Sequence, residues 1–180
     1  MKRRTALQVL AAGVVPGQMP SAQHHPVSLA QTSSSYKPRF FSPEQIELLA
    51  QLTEMIIPAD DHSPGAREAN VNLFIDLMVS HSARDVQEQW TSGLKLLDTE
   101  AEKRSGKPFL KCRAAEQDRI MAAMAANERE PNTDLERFFT RLKLMTVDGY
   151  YTSAIGIHRE LEYKGNTVLS EFPGCRHSDH

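Results

Sequence analysis

A chain of 180 residues, 24% of them charged and with a formal net charge of −2, leaves room for one domain around a single core and not for two. Removing the three basic residues Lys2, Arg3 and Arg4 takes that charge from −2 to −5, which argues against a general nucleic-acid or anionic-membrane binder and towards protein partners. No segment approaches the roughly 20 consecutive apolar residues that a membrane-spanning helix needs.

Residues 1–30 read as an export leader. Lys2, Arg3 and Arg4 make a basic start, and Leu7, Val9, Leu10, Ala11, Ala12, Val14 and Val15 make an apolar run diluted by Gln8 and Gly13. An arginine pair ahead of a weakly apolar run suits the twin-arginine route, which carries folded cargo; an ordinary secretory leader is the alternative. From Ser21 to Pro38 the chain is rich in Ser, Gln, His and Pro, too poor in large aliphatic residues to offset the entropy of ordering, so residues 31–41 read as linker. The domain is then expected over 42–180.

Ser42-Pro43-Glu44-Gln45 combines an N-cap hydroxyl, proline at the first helical position and Gln45 to close a capping box. Leu48, Leu49, Leu52, Met55 and Ile56 follow at helical spacing until Pro58 ends the helix. After a polar loop from Pro58 to Gly65, Val71, Phe74, Ile75 and Met78 predict a second amphipathic helix. A third begins near Ser82, where Ser82 and Asp85 resemble a capping box, and carries Val86, Trp90, Leu94, Leu97 and Ala101 towards the core until Gly106 and Pro108. Ala114 to Ala126, with Ile120, Met121 and Met124, predicts a fourth, closed by Asn127 and Pro131. Thr133 and Glu136 cap a fifth that holds Leu135, Phe138, Phe139, Leu142 and Met145 and runs through Tyr150 and Tyr151. With no alternating β-branched run in competition, the expectation is an all-α, single-domain bundle of about five helices. Gly156 to His180, with the turn dipeptides Gly165-Asn166 and Pro173-Gly174, should wrap irregularly over it.

Reactive side chains are sparse. Asp60, Asp61 and His62 could bind a divalent metal or act as acid and base, although Asp and Ser between Pro58 and Pro64 are also ordinary turn formers, and that reading outweighs the chemical one. Cys175, His177 and His180 could form a soft metal site at the chain end, where zinc ligands are uncommon. Cys112 and Cys175 could pair with each other, pair with a partner, or stay free. There is no C-x-x-C-H for haem, no dinucleotide fingerprint and no nucleophile elbow, so no cofactor is expected in this chain. Trp90, Phe138 and Phe139 fall on helical stripes and read as core. Tyr150, Tyr151, Tyr163, Phe172 and Pro173 could equally close the core or anchor a partner.

Several short blocks together resemble the gluconate 2-dehydrogenase subunit 3 family. These are the leader, Leu52 to Asp60, the Pro64-Gly65-Ala66 turn, Val71 to Asp76, Gly149 to Ser153, Gly156, Leu161, Tyr163 to Asn166, and Phe172 to Cys175. The resemblance spans nearly the whole domain, while Ser80 to Asn132 agrees mainly as helical pattern. It implies a small exported subunit without flavin or catalytic residues of its own. The FAD would sit in a large partner of the glucose-methanol-choline oxidoreductase type that oxidises sugars or sugar acids, with a cytochrome c subunit, and so haem c, as electron acceptor. The complex would be periplasmic, touching the membrane only peripherally. On this view Arg3 and Arg4 supply the export signal for a partner already folded around its flavin, although Thr5-Ala6-Leu7 stands where the family commonly has a bulkier residue. The resemblance also singles out Asp60, Tyr150, Tyr151, Tyr163, Gly165, Asn166 and Cys175 as an interface with that partner.

Overall fold

Ser42 starts the first helix as its sequence predicts: its Oγ accepts from Gln45 N at 3.2 Å while Gln45 Oε1 accepts from Ser42 N at 3.0 Å. The computed structural model describes residues 36–166, and among these there are helices and turns but no strand. Helix α1 spans Pro43–Ile56, α2 Val71–Ser80, α3 Arg84–Ser105, α4 Ala114–Ala125 and α5 Asp134–Tyr151. A 3-10 turn, Phe109–Lys111, precedes α4, and a π-helical turn, Gly156–Glu160, follows α5. The all-α bundle expected from the pattern is the fold of the described domain.

Helix α5 is the hub and packs against each of the other helices. Its start is fixed by the predicted box, with Glu136 N donating to Thr133 Oγ1 at 3.2 Å and Glu136 Oε2 accepting from Thr133 N at 3.0 Å. Trp90 of α3 is 1% exposed and meets Phe138 of α5 edge to face at 5.6 Å, so Trp90, Phe138 and Phe139 are core as read. The two helices approach closely at Gly93, where a Cβ would lie 2.1 Å from the Phe138 ring. Leu49, Leu52, Ile75, Leu97, Phe109, Ile120 and Leu142 complete an interior that excludes water.

Three local expectations are corrected. Helix α2 turns a different stripe inward: Val71, Ile75 and Val79 are buried while Met78 is 44% exposed. The rotation puts Asp76 inside, which an apolar-stripe argument assigns to the surface. Ser82 does not cap α3; its Oγ donates to Met78 O at 2.8 Å, finishing α2, and the N-cap position falls to Ala83 with no side-chain bond. Beyond α5 the chain makes one π-helical turn, closed by Leu161 N donating to Gly156 O at 2.9 Å, before it becomes irregular.

The stretch read as linker ends inside the domain. Phe41 is 3% exposed and its ring sits 6.3 Å from that of Trp90. The Asp76 carboxylate accepts from Phe41 N at 2.9 Å, Phe40 N at 3.0 Å, Arg39 N at 2.7 Å and the Tyr36 hydroxyl at 2.6 Å. Burial pushes the Asp76 carboxyl up, and these bonds outweigh it and hold its pKa below the ordinary carboxylate value. Burial and the bond to Asp76 push the Tyr36 hydroxyl up to about 12, so it stays a donor.

Candidate functional site

Glu54, on the last turn of α1, organises the loop that follows it. Its Oε1 accepts from Ala59 N at 3.0 Å and its Oε2 from Arg67 N at 2.8 Å, while Ala66 N donates to Ile57 O at 2.9 Å. Between these ties Asp60 makes a tight turn, its Oδ1 accepting from His62 N and Ser63 N, both at 2.8 Å. The bond from Ser63, then that from His62, lowers the Asp60 pKa below its ordinary value, as expected of a carboxylate spent on holding a turn.

Beneath the loop lies Tyr150, 1% exposed. Its hydroxyl donates to Pro64 O at 2.7 Å, which leaves the oxygen to accept from Ser63 Oγ at 2.8 Å. Burial raises the Tyr150 pKa, so the group acts as a neutral hydrogen-bonding tie. Ser63, 4% exposed, was not singled out from the sequence, since nothing local distinguishes a loop serine aimed at a tyrosine 87 positions away.

The C-terminal side completes the site. His62 Nε2–H donates to Glu160 O at 3.2 Å, joining the loop to the π turn. The turn depends on Gly156, where a Cβ would stand 2.1 Å from Tyr150 O, and on Ser153, whose Oγ donates to Tyr150 O at 2.6 Å and accepts from Gly156 N at 3.0 Å. Tyr151, 38% exposed, sets its ring edge to face with Tyr150 at 5.3 Å. Tyr163 N donates to Ile157 O at 3.0 Å, and the Tyr163 hydroxyl, on a side chain 50% exposed, donates to Asn166 Oδ1 at 2.6 Å. Gly165, between them in sequence, takes φ 93°, the left-handed conformation that a Gly-Asn turn favours.

Of the residues singled out from the sequence, the structure thus unites the Asp60 loop, Tyr150 and the π turn. Tyr163, Gly165 and Asn166 form a second, exposed group just past that turn. Tyr150 belongs to the interior and acts on the surface only through the loop it holds. Cys175, with the candidate ligands His177 and His180, lies outside the described residues, as do Arg3 and Arg4. Cys112 is buried with its Sγ directed at Lys107 O and Pro108 O, and its pairing with Cys175 also falls outside them. Among the described residues no cluster of three or more His, Cys, Asp or Glu could hold a metal, and Asp60 and His62 are engaged in the turn and the link to Glu160.

The loop can be loosened from beneath. Tyr150→Phe leaves Pro64 O and Ser63 Oγ short of a buried partner, at a cost of about 1–3 kcal/mol. Hydrogen exchange should then quicken at His62 and Ser63 while the amides of α3 and α4 stay protected; uniform quickening across the bundle would show that Tyr150 is only a core residue.

The geometry describes an all-α domain that carries a hydrogen-bonded surface loop backed by a buried tyrosine. The family model described as gluconate 2-dehydrogenase subunit 3 matches residues 43–168. The chain belongs to this family, an accessory subunit of an oxidoreductase complex. No curated protein and no solved structure matches it significantly.

Proposed function

We infer that this chain is a non-catalytic small subunit of a periplasmic, flavin-dependent dehydrogenase of the glucose-methanol-choline type, acting on a sugar or sugar acid. In this reading it supports export, maturation or stability of the large subunit, which holds the FAD, and a cytochrome c subunit takes up the electrons. The family match over residues 43–168 carries the reading. Two features of the site agree with it. Asp60 and His62 are committed to structural bonds, and Tyr151, Leu161 and Tyr163 leave apolar surface exposed around a rigid loop, as a docking face requires. No helix among the described residues is long and apolar enough to cross a membrane, which suits a subunit attached through its complex.

Purification of the tagged chain from its native host should bring a flavoprotein with it, visible by its absorbance and identified by mass. Recovery of the chain alone, with no flavin in any fraction, would overturn the reading. The location of the interface is tested by co-expression with that flavoprotein. Truncation before Tyr163 should reduce periplasmic dye-linked sugar oxidation at least tenfold, whereas Asp61→Ala should change it less than twofold because an exposed loop acid is worth about 1 kcal/mol or less. Full activity after truncation would place the interface elsewhere.

A further inference from the structure

The family match begins at residue 43, yet among the described residues the hydrogen bonds that close the bundle reach back to Tyr36. Four donors from a six-residue stretch converge on the carboxylate of Asp76, itself 0% exposed, and Phe41 covers one side of Trp90. Arg39, Phe40 and Phe41 present successive backbone amides to that one group. Such an arrangement is stable only when Asp76 is already held in the interior by α2 and when Trp90 already offers a packed face. Neither condition is met in an unfolded chain, because the donors and the acceptor lie 35 to 40 positions apart.

We propose that Tyr36–Phe41 is a latch that closes on Asp76 only after the helices have docked, so that its closure marks a completed bundle.

Limited proteolysis of the full chain tests the latch. Lys37 precedes Pro38 and resists trypsin, so Arg39–Phe40 is the cleavable bond of the strap. Its cleavage, followed by fragment mass, should be at least tenfold faster in Asp76→Asn than in the unaltered chain, with the helical circular dichroism unchanged. Tyr36→Phe, which keeps the three amide bonds, should fall between the two. An unchanged rate in Asp76→Asn overturns the latch; should that variant not fold, an unchanged rate in Tyr36→Phe does so.

Discussion

Trp90→Ala should lower the free energy of unfolding by about 3–5 kcal/mol, and the thermal midpoint by roughly 10 °C, measured by urea and thermal melts. The indole is 1% exposed and stands between Phe41 and Phe138, so its loss opens a cavity that faces both the strap and α5. It also frees the Phe138 ring. Gly93→Ala in the unaltered chain should cost about 1–3 kcal/mol, because the added methyl would stand 2.1 Å from a ring that Trp90 pins in place. In the Trp90→Ala background the ring can retreat into the cavity, and the cost of Gly93→Ala should shrink by more than half. Strict additivity of the two substitutions would mean that Phe138 is held by something other than Trp90.

On the proposed export reading, replacing Arg3 and Arg4 together by lysine should remove the mature protein from the periplasm almost completely, and the activity of the proposed flavoprotein partner with it. Charge is conserved in this exchange, so a leader read only for its basic start would be unaffected. A receptor that recognises the planar guanidinium pair would not accept two ammonium groups. Immunodetection of chain and partner in periplasmic fractions decides the matter, and continued export of both would assign the leader to the general secretory route.

Where a structural signal is local, the sequence shows it plainly. The boxes at Ser42–Gln45 and Thr133–Glu136 are each written within four residues, and both form as read. Ser82–Asp85 resembles them and fails, because Ser82 turns back to donate to Met78 O at the end of the preceding helix and the N-cap position falls to Ala83. Asp76 was illegible for a different reason. A carboxylate on an amphipathic helix reads as solvent-facing, and the donors that justify its burial arrive from another part of the chain. The same distance hides the tie between Ser63 and Tyr150, although Tyr150 lies in a block that resembles the family and Ser63 stands next to one. Gly156 could be marked from the sequence but not explained there, since the carbonyl that forbids a side chain comes into place only when the π turn forms.

On the proposed reading of the loop between α1 and α2 as a docking face, its ties bear on the speed and strength of assembly. Its backbone is tied by Glu54 at both ends, by Asp60 across its tip, by Tyr150 from below and by His62 at its flank. Ordering a loop on contact costs roughly 0.5–1.5 kcal/mol for each side chain immobilised, and here that loss is incurred when the domain folds, before any second protein arrives. A face built this way docks as a rigid body, with association rates of about 10⁵–10⁷ M⁻¹s⁻¹. Substitutions that slacken the ties would then act chiefly on how long a complex lasts, through a tyrosine that is itself only 1% exposed.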